Sequence, residues 1–338
     1  MAIFWLAPSK KYLKFRSKAL KNSTQPKVVA NHDDFLADVL EGLTQKPKTL
    51  KPKYFYDNKG AQLFTEICDA PEYYPTRTEI GILTQNAEDI ASTIGRNVAL
   101  IEYGSGALEK IQILLNVLED PAGLIPVDIS EDQLFKAASE LRVIYPDLEV
   151  LPIAADFTKP INIPQLSSTP KNRVAFFPGS TIGNFEPKSA VEFLQGVTQT
   201  IGSGGLLLIG FDLKKQRDIL IAAYDDKEGI TASFNKNILT RINSELDGNF
   251  KSNLFKHVAL YNENKSRIEM HLESLEEQII LIRNESFQFL KQETIHTENC
   301  YKFTELEFEA LANKASLHRV KVWTDPLNLF AVMLLQVP

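Results

Sequence analysis

The segment Ile101-Glu-Tyr-Gly-Ser-Gly106 places two glycines directly after a short apolar run. Glycine has no Cβ, so the backbone there can lie close to a ligand, and the helix that follows offers its free N–H groups. Taken alone, the pair is better explained as an ordinary tight turn between a strand and a helix. The dinucleotide fingerprint requires a third glycine where Glu109 stands. The sequence therefore disfavours a pyrophosphate ligand and, with it, a nicotinamide-dependent oxidoreductase.

Acidic residues end the next two apolar runs. Asp128 ends the second run, where its carboxylate can accept hydrogen bonds from both hydroxyls of a ribose. Asp156 and Phe157 end the third, where an acid can meet an adenine amino group and a ring can pack against the base. These features fit a nucleoside without a pyrophosphate and favour S-adenosylmethionine as the ligand. Asp128 could instead cap the next helix, but Ser130 is better placed for that role.

The segment Phe177-Pro-Gly-Ser-Thr-Ile-Gly-Asn-Phe185 follows the fourth apolar run, at the position that would face a transferable methyl group. The residue midway between Gly179 and Gly183 is Thr181, so the segment is not a nucleophile elbow. Asn184 offers both a donor and an acceptor, which suits an amine or a carboxylate. A simple turn explains the Gly-Asn pair equally well.

The sequence shows no spacing typical of a metal site. No HxxxH motif and no Cys–His ligand spacing occurs, and methyl transfer by in-line displacement requires neither a metal nor a covalent intermediate. We therefore expect no metal site, and we interpret the histidines as packing or surface residues: His32, His257, His271, His296 and His318.

Short apolar runs alternate with helical patterns between residues 98 and 214. The strand-like runs are 98–101, 124–127, 151–155, 174–177 and 205–211. Continuous apolar strands separated by helices are typical of a parallel sheet that is covered on both faces. The sequence thus predicts an α/β fold with a Rossmann-like, doubly wound core, whose ligand lies at the carboxyl ends of the strands.

The alternation of strands and helices stops at about residue 215. Residues 215–304 contain turn-rich pieces and strand-like segments such as Arg267-Ile-Glu-Met-His-Leu272. Residues 54–74 form an aromatic segment with the character of a loop, closed by Pro75. Both regions are expected to lie around the ligand edge of the core.

These patterns divide the chain into three parts. Residues 1–27 contain seven Lys or Arg and no acid, and we interpret them as a solvated basic extension. Residues 28–78 and 215–304 are predicted to form together an α+β substrate-binding domain. Residues 79–214 and 305–338 are predicted to form the S-adenosylmethionine-binding core.

Composition and charge limit the classes of function. Hydrophobic residues make up 44% of the chain and charged residues 24%, a balance that allows a globular fold without metal or disulfides. The net charge of −6 argues against a nucleic-acid partner. No apolar run has the length of a membrane span, and two cysteines, Cys68 and Cys300, suit a reducing compartment. We expect a cytoplasmic monomer that acts on a small molecule, without nucleic-acid or membrane partners.

Several motifs become specific in combination. They are Tyr56-Asp57, Pro71-Glu-Tyr-Tyr-Pro-Thr-Arg-Thr-Glu79, Gly104-Ser-Gly106 with Lys110, Gly179-Ser-Thr-Ile-Gly-Asn184, Ala223-Tyr-Asp-Asp226, Arg267-Ile-Glu-Met270, Thr297-Glu298 and Trp323-Thr-Asp325. With these motifs, residues 54–325 resemble the histidine Nα-methyltransferase family of ergothioneine biosynthesis. The resemblance implies a methyltransferase core interrupted by a substrate domain. It also implies stepwise methylation of the α-amine of L-histidine by S-adenosylmethionine, up to the trimethylated betaine hercynine.

The resemblance further implies roles for individual residues by matching position. The methyl donor is expected to bind at Tyr73, Gly104, Lys110, Asp128, Asp156 and Phe157. The amine and carboxylate of the substrate are expected at Asn184 and Tyr224, with the backbone of Gly179 nearby. The pocket for the substrate side chain is expected to be formed by Tyr56, Phe64, Met270 and Glu298. Glu298 would accept a hydrogen bond from the imidazole N–H and reject substrates that leave it unpaired.

Two positions depart from the family pattern. Cys300 stands where family members commonly carry serine, and a thiol is a poorer hydrogen-bond partner than a hydroxyl. Tyr103 stands where leucine is usual, and we expect it to pack in the core. The cysteine leaves open a same-family N-methyltransferase for another amino acid or a histidine derivative, which Met270 and Glu298 oppose. A non-catalytic protein that binds the methyl donor is a more distant alternative.

Overall fold

The structure is a computed structural model that describes residues 32–106 and 108–338; the predicted basic extension, residues 1–27, lies outside them. The helices are α1 (His32–Thr44), α2 (Asn58–Asp69), α3 (Tyr74–Gln85), α4 (Ala87–Ile94), α5 (Leu108–Leu115), α6 (Glu131–Ile144), α7 (Pro187–Ile201), α8 (Arg217–Ala222), α9 (Ile230–Leu246) and α10 (Glu305–Asn313). Short 3₁₀ helices span Pro52–Phe55, Thr181–Asn184 and Ser252–Leu254. Within the described part of the chain, no helix is both long and apolar enough to cross a bilayer.

The strands form two larger sheets and one hairpin. They are β1 (Lys48–Thr49), β2 (Val98–Tyr103), β3 (Gly123–Asp128), β4 (Ile153–Ala154), β5 (Asn172–Phe177), β6 (Leu206–Asp212), β7 (Phe255–Asn262), β8 (Arg267–Ser274), β9 (Gln278–Ile282), β10 (Glu285–Phe289), β11 (Thr294–Tyr301), β12 (His318–Thr324) and β13 (Phe330–Gln336).

A seven-stranded sheet has the order β12-β13-β6-β5-β2-β3-β4. Its strands β4, β3, β2, β5 and β6 are parallel, and β13 runs antiparallel to both of its neighbours. Helices α7 and α10 cover one face, and α3 to α6 cover the other. Every residue of β2 and β6 is buried as a result, which is why these segments are nearly continuous apolar runs. The predicted α/β, doubly wound core is confirmed.

The order of this sheet reverses at β2. From β2 the chain moves outward through β3 to β4, and it then returns to β5 on the other side of β2. In such sheets, ligands bind at the carboxyl ends of the strands next to the reversal. The glycine-containing loops after β2 and β5 carry Gly104 and Gly179, and both lie at this edge.

A second sheet has the order β1-β11-β8-β7, and β9 and β10 form a separate hairpin. Helices α2, α8 and α9 pack with this sheet, and β11 lies against the 3₁₀ helix Thr181–Asn184 that follows β5. The buried members of its hydrophobic cluster come from residues 35–74 and 220–300. Two separate stretches of chain thus share one core, and the substrate domain with its boundaries stays a prediction.

The expectation of a loop over residues 54–74 was wrong, because this stretch contains helix α2. Leu63 and Ile67 are buried at the spacing of an amphipathic helix. The Asp57 carboxylate caps the helix by accepting a hydrogen bond from Gly60 N at 2.6 Å. A glycine in the first turn and aromatic residues on both sides concealed the helical period in the sequence.

Candidate active site

A cavity opens where the 3₁₀ helix Thr181–Asn184 meets the four-stranded sheet. All eight residues predicted for the substrate line it: Tyr56, Phe64, Gly179, Asn184, Tyr224, Met270, Glu298 and Cys300. Tyr73, which the resemblance assigned to the methyl donor, lines it as well. Ser180, Thr181 and Ala223 also line it and belong to the motifs above, although no role was assigned to them. The lining residues outside those motifs are Ile67, Thr231 and Phe234.

One wall of the cavity is aromatic. The centroid of the Phe64 ring lies 5.6 Å from that of Tyr56, 6.0 Å from Phe234 and 6.3 Å from Tyr73. The ring of Tyr73 in turn meets that of Tyr224 edge-on, at 6.1 Å. Tilted and edge-to-face contacts of this kind are favourable for aromatic rings. The wall suits a planar substrate side chain, and Tyr73 connects it to the polar end of the cavity.

The strand pair β8–β11 carries Met270 and Glu298 to the cavity. These two residues are directly opposite each other in the antiparallel register, and so are His271 and His296. The register therefore contains one extra residue on β11, Thr297, which forms a β-bulge. Without the bulge, His296 and Glu298 would share one face of the sheet, since side chains alternate along a strand. The bulge turns Glu298 to the cavity and leaves His296 on the opposite face.

A buried chain of hydrogen bonds links this bulge to Tyr224. Thr297 Oγ1 donates to Asn235 Oδ1 (2.8 Å), and Asn235 Nδ2 donates to His257 Nδ1 (2.8 Å). Because Nδ1 accepts, the ring proton is assigned to Nε2, which donates to the backbone carbonyl of Tyr224 (2.8 Å). Burial lowers the pKa of His257, so the ring stays neutral. The network fixes two walls of the cavity relative to each other.

Glu298 places a carboxyl group in the cavity. Burial raises its pKa to about 8, although the positive charge of Lys302 acts in the opposite direction. Burial and the charge of Glu298 together hold the pKa of Tyr56 well above its usual range. A ligand N–H that donates a hydrogen bond to Glu298 would favour its charged form. The position therefore suits a nitrogen heterocycle better than a purely apolar side chain.

Gly104, Asp128 and Asp156 lie at the carboxyl ends of the adjacent strands β2, β3 and β4. The N–H of Gly104 donates to the carbonyl of Val127, and the N–H of Ala155 donates to the carbonyl of Asp128, each at 2.9 Å. These backbone bonds hold the three strand ends side by side. Three of the residues predicted for the methyl donor therefore lie along one edge of the parallel sheet.

The loop after β2 leaves open space above its backbone. Gly104 has φ = +78°, in the left-handed region that favours glycine. A Cβ added at Gly104 or at Gly106 would meet no atom within 4 Å. Open space at a glycine turn, with the Asp128 carboxyl at the next strand end, fits a nucleoside ligand such as S-adenosylmethionine.

Both predicted carboxylates also have partners within the protein. Asp128 Oδ1 accepts a hydrogen bond from Ser130 N (2.8 Å), and burial raises the pKa of Asp128. Ser130 occupies the N-cap of α6, as expected, although its hydroxyl makes no capping hydrogen bond. Asp156 Oδ1 accepts from Thr158 N (3.0 Å), and its Oδ2 lies 3.6 Å from Lys53 Nζ. Asp156 thus links the end of β4 to the segment before α2.

Phe157 packs beside the core instead of lining the cavity described above. Its ring centroid lies 5.7 Å from that of Phe177, 5.9 Å from Phe193 and 6.2 Å from Tyr103. A second cavity lies beside Phe157 and Tyr103. Tyr103 is buried among these rings, so its packing role is confirmed. The contact of Phe157 with a methyl donor stays a prediction.

Lys110 lies between the loops after β2 and β5. Its Nζ donates to Glu79 Oε2 (2.6 Å), and the same carboxylate oxygen accepts from Gly179 N (2.9 Å). Glu79 is fully buried, and Gly210 on β6 makes room for it, because a Cβ there would lie 1.9 Å from Glu79 Oε1. The buried pair holds the Gly179 loop against α3 and α5. Glu79 ends one of the sequence motifs, but its pairing with Lys110 was not expected.

A second buried ion pair lies behind the cavity. It was not predicted from the sequence. Lys302 Nζ lies 2.7 Å from Asp212 Oδ2, and Asp212 also accepts from Tyr74 Oη (2.7 Å) and Lys215 Nζ (2.5 Å). Burial acts to raise the pKa of Asp212, but the two lysines outweigh it and leave the pKa below its usual value. Alternation along β11 could have placed Lys302 on the same side as Cys300.

Two histidines that lie far apart in the sequence are neighbours in the structure. The rings of His271 and His296 stack with centroids 4.7 Å apart and planes at 20°. Together with Glu269 they offer three possible metal ligand atoms within 4.8 Å of one another. The in-plane lone pairs of nearly parallel rings do not converge on one point, so this arrangement is not a preformed metal centre. The expected lack of a metal in this protein stays a prediction.

The sequence of the chain is similar to one protein family and to several individual proteins. A family model described as histidine-specific methyltransferase, SAM-dependent, matches residues 35–337. The chain is 38% identical over 303 residues to histidine N-alpha-methyltransferase of Mycolicibacterium smegmatis, and the alignment covers 88% of this chain and 93% of that protein. It is 36% identical over 312 residues to the Mycobacterium tuberculosis protein of the same name, and this alignment covers 90% of this chain and 95% of that protein.

A more distant relative carries a different substrate in its name. The chain is 27% identical over 319 residues to 4-dimethylallyltryptophan N-methyltransferase of Aspergillus fumigatus, which covers 85% of this chain and 89% of that protein. The family model nevertheless spans nearly the whole described chain, and both mycobacterial relatives exceed 30% identity over most of their length. The chain belongs to the family of S-adenosylmethionine-dependent, histidine-specific methyltransferases.

Proposed function

We propose that the chain transfers the methyl group of S-adenosylmethionine to the α-amine of L-histidine, in up to three steps that give hercynine. The observation that carries this proposal is the presence of Glu298, Met270, Asn184 and Tyr224 in one cavity. Glu298 and Met270 offer an acceptor for an imidazole N–H beside apolar surface. Asn184 and Tyr224 offer donors and acceptors for an amine and a carboxylate. The imidazole ring of histidine matches the first pair of residues, and its amine and carboxylate match the second.

The reaction is an in-line displacement at a methyl carbon that the sulfonium group activates. The lone pair of the α-amine forms a bond to this carbon, the carbon–sulfur bond breaks, and its electron pair remains on the sulfur of S-adenosylhomocysteine. The methylated nitrogen then releases a proton before the next transfer. The protein has to hold a neutral amine in line with the carbon–sulfur bond, and orientation can supply much of the acceleration. Asn184 and Tyr224 are proposed to do this.

The methyl donor is proposed to bind along the carboxyl ends of β2, β3 and β4. The residues proposed to hold it are Gly104, Lys110, Asp128, Asp156 and Phe157. The adjacency of the three strand ends and the open space at Gly104 support this placement. Tyr73 lies in the cavity near Tyr224, and we propose that it contacts the substrate as well as the donor. Residues 28–78 and 215–304 would then supply most of the substrate side of the site.

Replacement of Glu298 by Ala tests this assignment. We expect Glu298→Ala to lower kcat/KM for histidine by roughly 100-fold, because the imidazole N–H loses a charged acceptor. The affinity for S-adenosylhomocysteine, measured by calorimetry, should stay close to that of the wild type. Glu285→Ala, an exposed glutamate on β10, is the matched control. Equal losses of histidine turnover and cofactor-product affinity would contradict the role of Glu298.

A same-family N-methyltransferase for another amino acid or a histidine derivative is the second candidate. Cys300, in place of the usual serine, and the relative named for a tryptophan derivative favour it. Mass spectrometry of turnover mixtures containing histidine, tryptophan or tyrosine distinguishes the two candidates. Gains of one to three methyl groups on histidine alone support the first. Methylation of another amino acid without histidine turnover supports the second.

We also propose that the chain works as a cytoplasmic monomer without nucleic-acid or membrane partners. The net charge of −6 supports the lack of a nucleic-acid partner. Cys68 and Cys300 are both free thiols, which suits a reducing compartment. Light scattering on the purified protein should give the mass of one chain, and twice that mass would contradict the monomer.

A further inference from the structure

Lys302 directly follows β11, two residues beyond Cys300 and four beyond Glu298. Because alternate residues of a strand share a face, its side chain lies on the same side as theirs. The side chain has no exposed surface. A fully buried lysine is rare unless it is paired, and Asp212 provides the counter-charge here.

The ammonium group of Lys302 has three acceptors within reach. They are Asp212 Oδ2 at 2.7 Å, Tyr224 Oη at 3.1 Å and Cys300 Sγ at 3.1 Å. An ammonium group carries three N–H donors and no lone pair, so it can only donate. Tyr224 and Cys300 must therefore both accept a hydrogen bond from Lys302. Neither residue can donate its own proton to Lys302.

The protons of Tyr224 and Cys300 can therefore be donated only to the other of these two groups or to a ligand in the cavity. Even if one of the two groups donated to the other, they could not both donate in the same contact. If one donates to the other, the second still has a proton for a ligand. Both residues line the cavity. Lys302 thus ensures that at least one donor faces the substrate, and its positive charge favours a carboxylate nearby.

We propose that Lys302 is a positioning residue for the amino-acid substrate, which acts through Tyr224 and Cys300 by directing their protons away from itself. The inference rests on the proposed function, in which Tyr224 holds the amino-acid end of the substrate. It also gives a physical reason why cysteine is tolerated at position 300. A thiol whose sulfur accepts from a fixed ammonium group has its proton oriented, which partly compensates for its weakness as a hydrogen-bond partner.

The first test replaces Lys302 by Met, which keeps a long apolar stem and removes the charge. We expect KM for histidine to rise about 10- to 100-fold, because hydrogen bonds to a charged group are lost. We expect kcat and the affinity for S-adenosylhomocysteine to change by less than about threefold. Lys215→Met is the matched control, since Lys215 also contacts Asp212, but its hydrogen bonds go to Tyr74, Asp212 and Leu213 and not to Tyr224 or Cys300. An unchanged KM in Lys302→Met, or an equal rise in both variants, would overturn the proposal.

A double-mutant cycle separates positioning from a general structural effect. If Lys302 acts through its two neighbours, Lys302→Met should change KM little in a Tyr224→Phe/Cys300→Ala background. Full additivity would contradict the proposal. If Lys302→Met does not fold, the Lys302→Met/Asp212→Asn variant removes both charges of the pair and carries the same expectations.

Measurements on the wild type distinguish failure of this inference from failure of the proposed function. A wild type that binds S-adenosylhomocysteine but neither binds nor methylates histidine rejects the proposed function. The Lys302 variants are then measured with the amino acid that the turnover panel identifies. A wild type that methylates histidine, with Lys302→Met unaffected in KM, rejects the role of Lys302 alone.

Discussion

The carboxyl group of Glu298 lies in a cavity with an aromatic wall, and burial raises its pKa to about 8 from an ordinary value of 4.5. Between these two pH values the folded protein holds a proton that the unfolded chain has released. Charging the group costs more free energy in the cavity than in water. The contribution of Glu298 to the stability of the ligand-free protein therefore falls as the pH rises from about 4.5 to about 8.

Replacement of Glu298 by Gln keeps the size of the side chain and removes its ionisation. We expect the ligand-free Glu298→Gln variant and the wild type to melt at similar temperatures at pH 5. At pH 9 the variant should melt several degrees higher, because only the wild type has to bury a charge. Glu102, whose pKa burial also raises to about 8, is present in both proteins, so its effect cancels. The same difference in Tm at both pH values would contradict this explanation.

At the scale of elements, the register of β8 and β11 decides which way Glu298 points. A one-residue bulge at Thr297 places Glu298 opposite Met270. The single proton of the Thr297 hydroxyl is shared between Asn235 Oδ1 and the carbonyl of Met270, and this contact anchors the bulge. Asn235 is fully buried and also holds His257, which supports the backbone of Tyr224. The orientation of the cavity residues is thus a property of the strand pair and α9 together.

Replacement of Thr297 by Val removes this anchor without changing the shape of the side chain much. We expect Thr297→Val to lose about 1–3 kcal/mol of stability, because the carbonyl oxygen of the buried Asn235 amide loses its donor. KM for histidine should rise by about 10-fold if Glu298 is displaced. Urea unfolding and steady-state kinetics measure the two effects, with Thr294→Val at the start of β11 as the control. Lost stability with an unchanged KM would mean that the network serves folding only.

At the scale of the whole molecule, the cavity lies where the edge of the seven-stranded sheet meets the four-stranded sheet. Two buried ion pairs stand at this junction. Lys110–Glu79 supports the loop after β5, and Lys302–Asp212 connects the end of β11 to the end of β6. Each pair has further hydrogen-bond partners, which a buried charge requires. The walls of the site therefore depend on buried charged side chains that do not themselves line the cavity.

Replacement of Gly210 by Ala tests the Glu79 junction from the sheet side. A Cβ at Gly210 would lie 1.9 Å from Glu79 Oε1, so we expect a loss of about 1–3 kcal/mol in stability. Displacement of Glu79 should also free the Gly179 loop and weaken S-adenosylhomocysteine binding. Gly196→Ala in α7 is the control, because a Cβ there meets nothing within 4 Å, and it should be neutral or slightly stabilising. Similar melting and binding for both variants would contradict the proposed role of Glu79.

The sequence by itself determined the features that depend on local pattern. The apolar runs at β2, β3, β5 and β6 predicted a parallel sheet, because strands buried on both faces have few polar positions. The glycines after β2, the acids after β3 and β4, and the combined motifs predicted a methyltransferase of the correct family. The family resemblance also named eight residues for the substrate, and the structure places all eight around one cavity, since such a resemblance already contains three-dimensional information.

Only the tertiary structure decided the features that depend on register and long-range contact. Helix α2 was concealed by its composition, and a bulge of one residue leaves no signal in the alternation of β11. Glu79 meets Lys110, Asp212 meets Lys302, and His271 meets His296 across 31, 90 and 25 positions of sequence. Such pairs form only when strands and helices have been placed against each other, because the energy of a buried charge or a stacked ring depends on its neighbours in space.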